Sequence, residues 1–202
     1  MADHNQAVRD DIAFLRNLAE DGRNNTLRGG SLMLASGLLF GTASLLIWAG
    51  LETGYPPERL QLVWPVSGVL FFICLALFLR RLPKGERRAS GNGMAWSSLG
   101  WAIFVCVLSL IIIAVRTNQA AAAAGISPVI LSLYGASWCI AGSVVRKRWP
   151  YGFGFASFGA ALVTAWAVPE GHLMFLLYAL SLYGLAAAPG AYLMRKASAA
   201  QA

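Results

Sequence analysis

The chain has 202 residues, of which 57% are hydrophobic and only 12% are charged. An ordinary soluble domain carries roughly 25% charged residues, so this composition excludes a water-soluble globular core and favours a membrane protein. The formal net charge of +7 does not indicate nucleic-acid binding, because the basic residues lie between apolar runs and form no separate basic domain. We therefore expect the lipid bilayer as the main partner, and no nucleic acid.

The first 28 residues are polar and predict a cytoplasmic segment without a cleavable signal peptide. Within it, apolar side chains recur at helical spacing from about residue 6 to 21, which predicts a short amphipathic helix. The helix is too short to span a membrane. One interpretation is a helix lying on the membrane surface or packed under the bundle. The other is a helix that docks a partner protein, with these candidate residues: Ile12, Phe14, Leu15 and Leu18.

Six stretches between the charged residues of 29–194 contain no Asp, Glu, Lys or Arg. A helix needs about 20 mostly apolar residues to cross the bilayer, and backbone groups in lipid must be hydrogen-bonded within the segment. The pattern predicts an all-α, polytopic bundle of six transmembrane helices, followed by a cytoplasmic tail at 195–202. The predicted spans are about 30–50, 61–79, 95–115, 125–145, 150–168 and 172–194.

The basic residues lie almost entirely on one side of the membrane in this topology. All of the 16 Lys and Arg residues except Arg59 and Arg116 fall on the side of the N-terminal segment. Because Lys and Arg near span ends are retained in the cytoplasm, we expect both termini there.

Two short stretches resemble a known group of proteins. They are Asp11-Ile12-Ala13-Phe14-Leu15-Arg16-Asn17-Leu18-Ala19-Glu20-Asp21-Gly22-Arg23, followed by Gly29 and Gly30, and the tail Pro189-Gly190-Ala191-Tyr192-Leu193-Met194-Arg195. Both are similar to stretches of small six-span inner-membrane proteins of Gram-negative, particularly alphaproteobacterial, bacteria. The resemblance implies an inner-membrane location and carries no activity with it.

An internal repeat is one interpretation of recurring residues in the spans. Leu-Ser-Leu-Tyr-Gly occurs at 131–135 and again at 180–184, and Gly41, Gly100 and Gly159 recur at equal spacing. Three tandem helical hairpins would produce this pattern. Chance similarity within an apolar alphabet is the alternative.

Small residues at helical spacing predict where helices approach closely. The candidate packing residues are Gly37, Gly41, Gly152, Ala156 and Gly190. Their alternative role is the face of a homo-oligomer. Pro189, near the inner end of the last span, predicts a kink.

Aromatic residues away from the predicted interfaces are candidates for a pocket, although packing is the simpler interpretation of them. These candidates are Trp101, Tyr134, Trp138 and Tyr183. The spans contain no charged residue, which disfavours an ion-coupled pump. A pathway for a neutral or amphipathic small molecule is still compatible with the sequence.

The sequence gives little support for a catalytic or metal-binding site. His172 and Glu170 lie together at one span end, where an interfacial histidine is the simpler interpretation than acid-base catalysis. The cysteines Cys74, Cys106 and Cys139 have no metal-binding or disulfide spacing. We expect no enzyme activity, no cofactor and no metal site.

The leading hypothesis is a non-catalytic scaffold or regulatory subunit that docks a membrane or cytoplasmic protein. The alternative is a small permease or a substrate-binding membrane subunit.

Overall fold

A computed structural model describes residues 30–60, 62–80, 91–118 and 124–198. Within those residues the secondary structure is helical. The predicted amphipathic helix and the docking candidates Ile12, Phe14, Leu15 and Leu18 lie outside them. The helices are α1 Gly30–Glu52, α2 Pro57–Leu60, α3 Val63–Arg80, α4 Gly91–Thr117, α5 Ile126–Val145, α6 Trp149–Trp166, α7 His172–Leu182 and α8 Ala188–Ser198. A 3₁₀ turn, Val168–Glu170, precedes α7, and a π-helical segment, Tyr183–Ala187, joins α7 to α8.

Five helical stretches in the described part are long and apolar enough to cross a membrane. They are Gly30–Glu52, Pro57–Arg80, Ser98–Thr117, Ile126–Ser143 and His172–Lys196. The prediction of an all-helical chain with several such helices is therefore confirmed. The predicted fifth span corresponds to α6, whose 18 residues are uncharged but rich in Gly, Ala and polar aromatic residues. Six spans and three hairpins stay predictions.

The first helix, α1, forms an antiparallel pair at very close range with the last helix, which consists of α7, the π-helical segment and α8. A β-carbon added at Gly37 would lie 2.5 Å from the backbone nitrogen of Ala187, and one added at Gly190 would lie 2.6 Å from the nitrogen of Leu34. The buried hydroxyl of Ser44 donates a hydrogen bond to the carbonyl of Phe175 over 2.8 Å. Glycine allows this backbone approach, which is the main source of contact energy between helices in lipid.

A second antiparallel pair consists of α5 and α6. A β-carbon added at Gly154 would lie 2.6 Å from the Sγ atom of Cys139, and one added at Gly135 would lie 2.6 Å from the Phe158 ring. The loop between the two helices has only three residues, 146–148. The buried face of α6 consists mainly of small residues: Pro150, Gly154, Ser157, Ala161 and Thr164.

Two clusters of buried side chains fill the space between these helix pairs. The first consists of Leu131, Ala161, Tyr178 and Leu182. The second consists of Met33, Trp138 and Leu193, with Tyr134 and Phe153 packed against it. Together they join α1, α5, α6, α7 and α8 into one core.

The helices α3 and α4 lie at the edge of this core. Ser67 is the one buried residue of α3, and none of the side chains described in α4 is buried. Phe40 on α1 stacks on Trp64 with ring centroids 6.4 Å apart, and Phe72 contacts Phe104 at the same distance. Large apolar side chains of both helices are exposed, as expected of surfaces that face lipid.

The positions of the proposed repeat have different surroundings. A β-carbon at Gly135 would collide with Phe158, whereas one at Gly184 would meet nothing within 4 Å. Gly41 lies under the ring of Tyr183, whereas Gly100 and Gly159 face open space. The matching residues therefore serve different packing roles.

Candidate functional site

The four pocket candidates fall into two groups. Tyr134 and Trp138 lie in the core where α1, α5 and the π-helical segment meet, and Tyr183 lies at its edge. Trp101 lies on the outer surface of α4, is 69% exposed and makes an edge contact with Phe104. Any site built on the first three residues therefore does not include the fourth.

The indole of Trp138 is bound to the last helical stretch, His172–Lys196, close to its proline Pro189. Its Nε1–H donates to the carbonyl of Leu185 over 3.2 Å, and the side chain is 2% exposed. In an α-helix that carbonyl would accept from the residue four positions later, which here is Pro189. Proline has no N–H and its ring crowds the same carbonyl, so the tryptophan provides a donor at the point where the helix lacks one.

The π-helical segment follows from the same proline. The N–H of Ala188 bonds to the carbonyl of Tyr183, five residues earlier, which is the widened turn typical of a π-bulge. Such a turn moves the backbone away from the proline ring. The structure shows this local widening of the helix next to Pro189, where the sequence predicts a kink.

The Tyr134 hydroxyl is engaged with α1. Ser36 donates to the carbonyl of Met33 over 3.0 Å, and its oxygen lies 3.1 Å from the Tyr134 hydroxyl. A serine has one hydroxyl hydrogen, so Tyr134 must be the donor to Ser36. This hydrogen bond links α5 to α1 inside the apolar core.

Tyr183 makes a similar link from the π-helical segment. Its hydroxyl lies 3.0 Å from the Oγ1 atom of Thr42, and its ring covers Gly41. Tyr183 is half-buried, while Thr42 is exposed. The pair thus lies at the edge of the interface between α1 and the last helix, where a small molecule could reach it.

The candidate packing residues also divide. Gly37, Gly41 and Gly190 lie in the close contact between α1 and the last helix. Gly152 and Ala156 are on the exposed face of α6, and a β-carbon at Gly152 would meet nothing within 4 Å. The small residues that α6 does bury begin at Gly154, two positions further along. The sequence signal was present there too, since Gly154, Ser157 and Ala161 recur at helical spacing.

Charged residues in the described part collect at the two ends of the bundle. One end carries Glu52, whose carboxylate lies 3.1 Å from the Nε2 atom of His172 and joins the end of α1 to the start of α7. Glu170 lies two residues before that histidine. Among the described residues, no group of three or more His, Cys, Asp or Glu side chains could hold a metal ion.

The other end carries basic residues. Trp149 follows the 146–148 loop, and its ring lies 6.4 Å from that of Tyr192, three residues before Arg195. The loop is therefore on the same end as the C-terminal basic residues. This end lies opposite the Glu52–His172 contact, since Gly30 packs beside Gly190 and Leu193.

Comparisons of the chain with family models, with curated proteins and with solved structures give no match.

Proposed function

We propose that the protein is a non-catalytic scaffold or regulatory subunit of the bacterial inner membrane, docking a partner protein through its cytoplasmic face. The observation that carries this proposal is that the polar side chains of the core bond to neighbouring helices, while the exposed charged side chains lie at the ends of the bundle. Within the core, the hydroxyls of Ser36, Ser44 and Tyr134 and the indole of Trp138 bond to neighbouring helices. The exposed charged groups of the described residues lie at the ends.

The orientation in this proposal follows from the sidedness of the charges. The end with Arg146, Lys147, Arg148 and the C-terminal basic residues faces the cytoplasm, which also places both termini there. The acidic residues Glu52 and Glu170 then lie on the outer side.

The proposal includes α6 as a sixth span. Its 18 residues give a length of about 27 Å, close to the roughly 30 Å of the hydrocarbon core. It runs antiparallel to α5 with one face buried by small residues. With α6 and the last helix both spanning, the 146–148 loop and the C-terminal end lie on one side, and the Trp149–Tyr192 contact supports this arrangement.

The test is partner capture by the full-length protein. Photo-crosslinking in cells, followed by purification, should yield a specific protein that is lost when Ile12, Phe14 and Leu15 are all changed to Ser. A control variant, Ala13→Ser with Asn17→Ser, should keep the partner. If the triple variant retains every crosslinked protein, docking through the N-terminal segment is wrong.

The second candidate function is a small permease or a substrate-binding subunit for a neutral or amphipathic molecule. The π-helical segment favours it, because π-bulges are frequent at functional sites and this one carries the half-buried Tyr183 next to Thr42. A small molecule that copurifies with the wild type and is lost in Tyr183→Phe would support this function. Retention of the molecule in that variant would contradict it.

A further inference from the structure

Five cationic side chains form one exposed surface at the end of the bundle that carries the short α5–α6 loop. This basic patch consists of Arg146, Lys147, Arg148, Arg195 and Lys196, all of them exposed. The contact between the rings of Trp149 and Tyr192 brings its two parts together. The patch is thus contributed by the α5–α6 loop and by α8 and exists only in the folded bundle.

The charge of the patch is not balanced within the described part of the chain. The described carboxylates belong to Glu52, Glu58 and Glu170, at the opposite end, and none of the five cations forms an ion pair with a described residue. The first turn of α6, which directly follows the loop, has no acidic residue. The five cations therefore have no anionic partner among the described residues.

Arg146 occupies a backbone conformation that arginine rarely adopts. It ends α5 with φ 54° and ψ 37°, in the left-handed region, where helices usually place glycine. For a residue with a β-carbon this conformation is strained. The loop thus retains a cation at a position where glycine would relieve strain.

The two aromatic rings define the depth of the patch. Trp149 is 38% exposed and Tyr192 is 56% exposed, and both rings lie where apolar helices give way to charged residues. Tryptophan and tyrosine are favoured at the level of lipid headgroups. An anion at this patch is therefore at the depth of phospholipid phosphates.

We propose that the basic patch binds the phosphate of acidic glycerophospholipids, with the Trp149–Tyr192 ring pair against the glycerol and upper acyl chains. The guanidinium groups of Arg146 and Arg148 suit a phosphate because their planar donors can form two parallel hydrogen bonds. Basic surfaces between transmembrane helices on the cytoplasmic side recognise acidic headgroups by the same chemistry. This proposal goes beyond the docking of a protein partner and does not depend on it.

The experiment measures dioleoyl-phosphatidylglycerol binding to the full-length protein in neutral detergent by native mass spectrometry, with dioleoyl-phosphatidylcholine as the reference lipid. The variant R146Q/R148Q should bind phosphatidylglycerol about 10- to 30-fold more weakly. Binding of phosphatidylcholine should not change. The matched control R59Q/R116Q removes the same charge at the opposite end and should retain wild-type affinity. Equal losses in both double variants, or no loss in R146Q/R148Q, would overturn the proposal.

Arg146→Gly separates binding from folding. Glycine accepts the left-handed conformation, so the thermal midpoint should stay unchanged or rise, while the affinity for phosphatidylglycerol falls roughly fivefold. Unchanged affinity in this variant would contradict the role of the patch in binding lipid.

Discussion

The core helices and the two edge helices bury their residues to very different extents, although both sets are apolar. The buried share of the apolar window is 44% in the last helix and 39% in α5. It is only 6% in the stretch that contains α3 and 6% in α4. The core helices carry the glycines that contact a neighbour, whereas a β-carbon at Gly68 or Gly100 in the edge helices would meet nothing within 4 Å.

The difference shows how helices associate where hydrophobic exclusion contributes little free energy. Leucine and phenylalanine on α3 and α4 gain little by leaving lipid for protein, so they stay on the surface. The core instead combines backbone contacts at glycines with hydrogen bonds such as that from Ser44 to Phe175. The edge surfaces are thus held by aromatic contacts and are the ones free to face lipid or another membrane protein.

The largest expected effect comes from filling a glycine contact in the core. Gly37→Leu would place side-chain atoms against the backbone of Ala187, which cannot move aside as a flexible side chain could. We expect the free energy of unfolding to fall by about 3 kcal/mol, measured by SDS titration of the protein in mixed micelles. Gly68→Leu on α3 is the matched control and should change it by less than about 0.5 kcal/mol. Equal effects at the two sites would abolish the distinction between core and edge.

The second prediction concerns the proline in the last helix. Trp138→Phe removes the N–H that donates to the Leu185 carbonyl, and we expect a loss of about 1–2 kcal/mol in unfolding free energy. In a Pro189→Ala background the backbone regains its own donor, so the loss should fall by about half or more, as a double-mutant cycle measures.

Trp101→Phe provides the control for this cycle, because Trp101 is 69% exposed on an edge helix. It should be nearly neutral in both backgrounds. A Trp138→Phe cost that is the same with and without Pro189 would mean that packing alone, and not the replacement of the missing donor, explains the buried tryptophan.

The long apolar helices could be predicted because length and the absence of charge can be read from each stretch of sequence by itself. Which face of a helix is buried depends on a neighbour, and small residues at helical spacing do not decide it. On α6, Gly152 and Ala156 have the same spacing as buried pairs in the core, yet they are exposed, and the face beginning at Gly154 is buried. Both faces carry the same signal, so only the position of α5 distinguishes them.

The link between Trp138 and Pro189 could be predicted only in part. An internal proline leaves a carbonyl without its usual donor, and a deep tryptophan needs an acceptor. Each need is readable in the sequence. To pair this donor with this acceptor, one must know that α5 packs beside the last helix at that depth. That is tertiary structure, and it joins Trp138 to Leu185, 47 positions apart.

A smaller effect is expected for the hydrogen bond between Tyr134 and Ser36. Tyr134→Phe and Ser36→Ala should show a coupling energy of about 0.6 kcal/mol in a double-mutant cycle, a typical value for hydrogen bonds between membrane helices. Ser132→Ala is the control, since the Ser132 hydroxyl bonds to the carbonyl of Pro128 within its own helix. Coupling between Tyr134 and Ser132 as strong as that with Ser36 would contradict a specific α1–α5 link.

The smallest effect is expected at the end of the bundle, where the core meets water. The Glu52–His172 contact spans 3.1 Å, but its side chains are 46% and 51% exposed, so water screens the attraction. Glu52→Gln should therefore change the free energy of unfolding by about 0.5 kcal/mol or less, compared with Glu58→Gln, which removes a nearby exposed carboxylate. If Glu52→Gln instead destabilised the protein as much as Trp138→Phe, this end of the bundle would be held by charge as strongly as the core is held by buried donors. The distinction between a stable core and weakly held edge helices would then no longer account for the stability of the protein.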